Sequence, residues 1–201
     1  MLEVLAKIPG RSKIAYKYSE TDIAHAAVLL RGFKGELRGF KEESVVDEHT
    51  FWLDFGATNP NLSDQSDTAV YQQQILEIID RIQLHEVNKV VLSRPSHLYT
   101  ERADAQATFA ALQERYPNCT VFALKHPDFG HWMGASPEVL FEEIDGGYHS
   151  MSLAGTRLSG ALNWGDKERE EQNFVTKEIY KTLDNFGGHV RTQGEETLNA
   201  G

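Results

Sequence analysis

Apolar residues recur at helical spacing in three stretches of the chain, with polar residues at the intervening positions. The first stretch predicts a helix over Thr68–His85, where isoleucines follow the three-to-four spacing of one helix face. The second predicts a helix over Ala103–Tyr116, which ends before Pro117 because proline cannot continue it. The third predicts a helix over Asp166–Phe186, closed by a pair of glycines.

The stretches before and between these helices contain β-branched and aromatic runs, which predict short strands. The predicted strands cover Ala26–Leu30, Phe51–Phe55, Lys89–Arg94, Thr120–Leu124, Trp132–Gly134, Val139–Ile144 and Tyr148–Leu153. Gly146 and Gly147 are expected to close a hairpin between the last two strands. Strands in meander order, with helices inserted at intervals, favour an α+β fold over a doubly wound parallel sheet.

Length and composition fit one globular domain. The chain has 201 residues, of which 40% are apolar and 25% are charged, and both fractions are ordinary for such a domain. No linker rich in proline, glycine or serine interrupts it, so we expect a single domain over residues 1–201. Its β-rich N-terminal part covers residues 1–60, and the part that carries the candidate motifs covers residues 68–186.

Charge and hydropathy exclude several classes of partner. The chain carries 20 basic and 30 acidic residues, a formal net charge of −10. This balance argues against nucleic acid, because binding to a phosphate backbone relies on lysine and arginine. No apolar run approaches the ~20 residues that a membrane helix needs, and the first residues lack a signal-peptide pattern. We therefore expect a cytoplasmic protein without a membrane partner, whose single cysteine, Cys119, is an inert core residue.

Two positions are candidates for acid–base chemistry. Lys89 leads into an apolar run, and a lysine that is desolvated there can lose its proton and act as a general base. The alternative is a lysine at a strand edge with its ammonium group in water. Glu138 follows the tight segment Gly134–Pro137, and a carboxyl held in such a place can have a raised pKa and act as an acid. The alternative is a solvated glutamate in a turn.

The acidic start of the third predicted helix is a candidate metal site. Glu168 and Glu171 lie three residues apart, so they share a face of the helix. Two carboxylates on one face suit Mg²⁺, which keeps several waters and takes one or two protein carboxylates. The alternative is that acidic residues in the first turn only complement the helix dipole.

Four short motifs occur in a fixed order along the chain. They are Lys89-Val-Val-Leu-Ser-Arg94, Gly134-Ala-Ser-Pro-Glu-Val-Leu140, Leu153-Ala-Gly-Thr-Arg157 and Lys167-Glu-Arg-Glu-Glu-Gln172. In this order they resemble the chorismate-utilising enzymes, which include isochorismate synthase, salicylate synthase, anthranilate synthase and aminodeoxychorismate synthase. The resemblance covers roughly residues 68–186. It implies two packed antiparallel β-sheets flanked by helices, with the active site between the sheets and chorismate as the substrate.

The resemblance also implies roles for individual residues. Lys89 looks like the base that activates water, and Glu138 looks like the acid that protonates the leaving hydroxyl group. Glu171 looks like a Mg²⁺ ligand, and Glu168 would support the ion. Three residues would line the pocket for the substrate ring through their backbone, namely Ala154, Gly155 and Thr156.

Two positions distinguish members of this family. Anthranilate-type enzymes typically carry glutamine at the position of Lys89, and aminodeoxychorismate enzymes often carry lysine at the position of Ala154. The pair found here therefore favours water as the nucleophile, as in an isochorismate synthase that serves menaquinone or siderophore biosynthesis. Salicylate synthase shares both features, so it remains an alternative. An enzyme like anthranilate synthase component I and a non-catalytic scaffold domain are further alternatives.

The resemblance is incomplete at the C-terminal end of the chain. The second half of the family's fold should supply another metal-binding glutamate, groups for the substrate carboxylates and the strands that close the sheets, and none of these can be placed before Gly201. We therefore expect a C-terminally truncated chorismate-binding domain that is inactive alone. Open sheet edges tend to pair with other chains, so self-association is a further expectation.

Overall fold

The computed structural model of the chain describes residues 1–31, 36–56, 68–94, 96, 104–156, 163–185, 190–192 and 194. In chain order these ranges form β1 (Leu2–Lys7), β2 (Ile14–Thr21), a short 3₁₀ helix (Ile23–His25), β3 (Val28–Arg31), β4 (Leu37–Val45), α1 (Glu48–Leu53), α2 (Thr68–Gln83), α3 (Ala105–Arg115), β5 (Thr120–His126), β6 (Gly130–Ser136), β7 (Glu142–Ile144), β8 (Gly147–His149) and α4 (Asp166–Asp184). No helix among these ranges is both long and apolar enough to cross a membrane.

The chain divides into two compact units, each built from separated segments. The first, called here the sheet unit, comprises Met1–Ser63, Leu98–Pro137 and Leu198–Gly201. The second, called the motif unit, comprises Asp64–His97 and Glu138–Thr197. Every predicted site residue therefore belongs to the motif unit.

The sheet unit contains a six-stranded antiparallel sheet in the order β3-β4-β2-β1-β5-β6. β1 lies inside the sheet, where Leu5 is opposite Ala15 on β2 and Ala123 on β5. Side chains alternate between the two faces of a strand, so Leu2 and Leu5 point in opposite directions. Leu2 is 0% exposed and Leu5 is 1% exposed, which shows that both faces of β1 are buried.

The first core of the sheet unit lies between one face of the sheet and two helices. Leu5 packs there with Val121 and Ala123 of β5. Phe51 from α1 and Phe109 from α3 cover these residues and are themselves almost fully buried. Burying one such ring stabilises a fold by about 1.5–3 kcal/mol. The two helices are therefore held to the sheet by apolar packing.

The sheet is curled, and its opposite face encloses a second core. Arg38 on β4 donates hydrogen bonds to Glu20 on β2 at 2.7 and 2.8 Å and to Asp128 in the β5–β6 turn at 2.8 Å. In a flat sheet, three strand spacings of together about 14 Å would separate β4 from β5. One side chain reaches both acidic partners because the sheet curls around its second core, in which Phe40 is fully buried.

Cys119 is buried immediately before β5, as expected, with 3% of its surface exposed. Burial raises the pKa of its thiol, because the thiolate would lose its hydration. At neutral pH the side chain is therefore a small apolar core residue.

The three predicted helices are confirmed as α2, α3 and α4. The strand predicted over Phe51–Phe55 is wrong, because Glu48–Leu53 form the helix α1. Its start is capped by Asp47, whose carboxylate accepts a hydrogen bond from the Thr50 backbone N–H at 3.0 Å. The strand predicted over Lys89–Arg94 is also wrong. A strand needs a hydrogen-bonded neighbour, and no described segment pairs with this run.

The predicted α+β class with two antiparallel sheets is confirmed in part. Helices accompany two antiparallel sheets, but the second described sheet contains only the two strands β7 and β8. The packing of one sheet on the other and the boundaries of a single domain stay predictions.

Replacing Phe40 with alanine should lower the free energy of unfolding by about 3–5 kcal/mol, because the cavity forms in a fully buried core. Leu29, in the edge strand β3, is 51% exposed, so Leu29→Ala should cost less than about 1 kcal/mol. Equilibrium urea unfolding of both variants measures the difference. Equal losses for the two variants would contradict the assignment of the second core.

The stability of the sheet unit should fall as the pH is lowered below about 6.5. His126 is 4% exposed, and its Nδ1 accepts a hydrogen bond from the Asp128 backbone N–H at 3.1 Å. Burial, followed by the nearby charges of Arg38 and the N-terminus, lowers the pKa of His126. The folded state therefore binds fewer protons than the unfolded state in this window, and stability is lost as pH falls towards the folded pKa.

The measurement is the urea midpoint between pH 7.5 and pH 5, for the wild type and His126→Phe. The variant should show a smaller loss on acidification, with some loss remaining because burial also lowers the pKa of His131. An identical pH dependence in both proteins would exclude His126 as the cause. The carboxylates of Glu20 and Asp128 have lowered pKa values through their hydrogen bonds to Arg38, so their contribution is lost only at still lower pH.

Candidate active site

The hairpin β7–β8 brings two of the four motifs together in the motif unit. Its turn is formed by Asp145 and Gly146, which both have positive φ values, of 52° and 76°. This is the pattern of a type I′ turn, in which glycine and aspartate are favoured at the central positions. The turn therefore lies one residue earlier than the predicted Gly146-Gly147 pair.

Pairing between the two arms of the hairpin continues past the ends of the strands. The Met151 backbone N–H donates to the Val139 carbonyl at 3.0 Å, and the Val139 N–H donates to Met151 Sδ at 3.3 Å. Ser150 Oγ donates to the carbonyl of Leu140 at 2.7 Å. The segment that starts at Glu138 therefore runs beside the segment that leads into Leu153.

A group of hydrogen bonds joins this second segment to α4. The Gln172 side-chain amide donates to the carbonyl of Ser152 and, at 2.8 Å, to Ser152 Oγ. Ser152 Oγ also lies 2.8 Å from Thr176 Oγ1, and Thr176 Oγ1 donates to the Gln172 carbonyl at 3.0 Å. The segment that directly precedes the Leu153 motif is thus bonded both to the Glu138 motif and to the last residue of the α4 motif.

Glu168, one of the two predicted metal ligands, caps the start of α4. Gly165 is the N-cap, and its backbone N–H donates to Glu168 Oε2 at 3.0 Å. Glycine has no side chain to return the bond, so this is the carboxylate half of a capping box. Glu168 is half-buried and stabilises the helix start, as expected for an acidic residue in the first turn.

The predicted ring-binding segment packs against an aromatic side chain. A Cβ atom placed on Gly155 would lie 2.9 Å from the ring of Trp164, closer than real contacts allow. Ala154 and Gly155 are half-buried, and Thr156 is exposed. The indole ring therefore fits against this backbone because position 155 carries no side chain.

Lys89 lies in an irregular segment after α2. The side chain is half-buried, and within the described ranges it makes no hydrogen bond or ion pair to another predicted site residue. Its motif is tied to α2 through Arg94, whose guanidinium lies 5.2 Å from the centre of the Tyr71 ring and 3.4 Å from Thr68 Oγ1. The structure thus connects the Lys89 motif to α2, whereas the Glu138 motif and the α4 motif are both bonded to the segment before Leu153. Glu138 is exposed.

Among the described residues, no group of three or more histidine, cysteine, aspartate or glutamate side chains is placed to hold a metal ion. Glu171 is half-buried, and its carboxylate has no hydrogen bond or ion pair with the described part of the protein. Mg²⁺ takes one or two protein carboxylates, and water or substrate oxygens complete its shell. Glu171, together with the second oxygen of Glu168, has the donor chemistry that Mg²⁺ prefers.

Sequence reasoning missed the residues that connect the motifs. Ser152 and Thr176 were not among the predicted site residues. Gln172 was named only as the last residue of the motif Lys167–Gln172. The one usable signal was that Gln172 and Thr176 lie four residues apart, which places them on one helix face. Nothing in the spacing connects that face with Ser152, twenty residues earlier.

Comparison with known sequences defines the class of this protein. The model of the family described as chorismate binding enzyme matches residues 41–200. This match covers most of the chain and contains all four motifs, so it agrees with an enzyme domain that acts on chorismate. The chain belongs to the chorismate-binding enzyme family. No solved structure matches the chain.

Gly155→Ala should force the Trp164 ring out of its position and lower the free energy of unfolding by about 1–3 kcal/mol. Gly147→Ala is the matched control, because a Cβ atom there would meet only one atom, at the ordinary distance of 3.6 Å. Urea unfolding and the tryptophan emission spectrum measure the two effects. If both variants behave like the wild type, Trp164 does not pack on Gly155 as described.

Proposed function

We propose that this chain is an isochorismate synthase-type enzyme that converts chorismate into isochorismate. Membership of the chorismate-binding family supports chorismate as the substrate. Lys89 and Ala154 support water as the nucleophile, since the resemblance places other residues at these positions in the enzymes that use nitrogen. The observation that carries the proposal is the set of hydrogen bonds that joins the segments of Glu138, Leu153 and Glu171 within one unit.

In the proposed reaction, water adds to one carbon of the cyclohexadiene ring while a hydroxyl group leaves from another. Lys89 takes a proton from the attacking water, and Glu138 gives a proton to the leaving hydroxyl group, so one water enters and one leaves. Lys89 must be neutral for this step, which requires desolvation of its half-buried side chain by the bound substrate. The exposed carboxyl of Glu138 must likewise be covered by the substrate to hold its proton.

In the proposed enzyme, α4 and the segment before it orient the substrate. Glu171, assisted by Glu168, would hold Mg²⁺, which would bind the ring carboxylate of chorismate. The backbone of Leu153–Thr156 would line the ring pocket, and Trp164 would keep this backbone in place through its contact with Gly155. Isochorismate formed in this way would enter menaquinone or siderophore biosynthesis.

One rival reaction shares the decisive residues. A salicylate synthase would make the same intermediate and then eliminate pyruvate, and its family members also carry lysine and alanine at the positions of Lys89 and Ala154. Product analysis separates the two reactions. Cytoplasmic location and self-association through open sheet edges also stay predictions.

The test combines binding with product analysis. Isothermal titration calorimetry should show chorismate binding that is strengthened by Mg²⁺. Product analysis by chromatography is then run on the chain incubated with chorismate and Mg²⁺. Isochorismate as the sole product supports the proposal. Salicylate with pyruvate selects the rival, and anthranilate formed with ammonia excludes both. Absence of binding and of turnover favours a scaffold domain.

In a preparation that turns over chorismate, Lys89→Ala should lower kcat by about 10²–10⁴-fold, the usual contribution of a general base, with a small change in KM. Lys177→Ala removes an exposed lysine from α4 in the same unit and should leave kcat unchanged, which makes it the matched control. Steady-state kinetics at saturating Mg²⁺ measure both variants. A Lys89→Ala enzyme with wild-type kcat would remove Lys89 from the mechanism.

A further inference from the structure

The hydrogen bonds between Gln172, Ser152 and Thr176 form a closed ring in which every hydroxyl proton is assigned. Thr176 Oγ1 donates to the Gln172 carbonyl, so its proton is unavailable to Ser152. Ser152 Oγ therefore donates to Thr176 Oγ1, and one Gln172 amide proton donates to Ser152 Oγ. The second amide proton goes to the Ser152 carbonyl. All three side chains are half-buried. A polar network in which every donor and acceptor is satisfied makes the segments that it joins more rigid.

This ring joins two segments whose relative position must stay fixed in the proposed reaction. Gln172 follows Glu171 directly on α4, and Ser152 directly precedes the Leu153–Thr156 segment. Hydrogen bonds to both the side chain and the carbonyl of Ser152 fix its backbone as well as its side chain. The hydrogen bonds thus hold the backbone that precedes Leu153 against the turn of α4 that carries Glu171.

We propose that Gln172 is a positioning residue for the metal and substrate site. Its side-chain amide holds the Leu153–Thr156 backbone at a fixed place beside α4, so that Glu171 and this backbone engage the same substrate molecule. The inference rests on the proposed function, because it concerns the relative position of two parts of that site. A carboxylate at position 172 would not fit the role, because it would present only acceptors to the Ser152 carbonyl.

Two variants with a shared substituent separate this role from a general effect of mutation. Gln172→Met keeps the length of the side chain and removes its donors. Asn173→Met introduces the same side chain at the next, exposed position of α4 and serves as the control. If Gln172→Met does not fold, Ser152→Ala removes one of the two acceptors of the Gln172 amide, and a smaller loss in the same direction is expected from it.

The first readout is hydrogen exchange of the metal-free chain, followed by mass spectrometry over residues 150–156. Gln172→Met should exchange faster there than the wild type, and Asn173→Met should not. The second readout is the Mg²⁺ dissociation constant in the presence of chorismate, measured by calorimetry. It should rise by about 10–100-fold in Gln172→Met, the usual effect of losing a residue that orients a metal ligand.

These measurements distinguish failure of the positioning role of Gln172 from failure of the proposed function. If the wild type binds chorismate and Mg²⁺ while Gln172→Met keeps wild-type affinity, the positioning role is overturned, even where exchange is faster. Unchanged exchange in Gln172→Met overturns the ring as the element that holds this segment. A wild type that binds no chorismate overturns the proposed function itself and this inference with it.

Discussion

The curl of the six-stranded sheet brings residues from distant strands together around the second core, where Arg38 binds an acidic residue on each side. Its guanidinium group contacts Glu20 and Asp128 and also lies 5.0 Å from the centre of the Phe129 ring. These contacts hold the β5–β6 turn over the face that β4 and β2 present. The guanidinium group also lies 5.9 Å from the centre of the fully buried Phe40 ring, so the charged bridge lies directly against the apolar core.

The motif unit is organised on a different principle. Its described helices expose much of their apolar surface, with Leu76 of α2 at 63% and Tyr180 of α4 at 44%. Short hydrogen-bonded contacts, rather than a large buried core, bring its functional segments together. The site is therefore defined by a few polar residues, of which Gln172 makes the most connections to the neighbouring segment.

The sequence predicted the helices of this fold better than its strands. α2 and α4 were found because their apolar spacing spans four or more turns. β1 was missed because both of its faces are buried, so Leu2 and Leu5 show no simple alternation. The run Lys89–Arg94 has the composition of a strand, but composition cannot show whether a neighbouring strand exists to pair with it.

For the candidate site, the four motifs identified the family and the residue types, because these are local features of the sequence. The contacts between motifs could not be read in the same way. They depend on a hairpin turn set by Asp145 and Gly146, and on hydrogen bonds between residues far apart in the chain. Such contacts follow from the folded backbone, and a pattern along the chain does not contain them.

The burial of Cys119 has a practical consequence for labelling the protein. It is the chain's one cysteine, and its shielded thiol with a raised pKa offers almost no thiolate to an alkylating reagent at neutral pH. A second cysteine introduced at an exposed position, such as Asn173, would therefore react selectively in the folded state. Spectroscopic probes can thus be attached to α4 without first replacing the native cysteine.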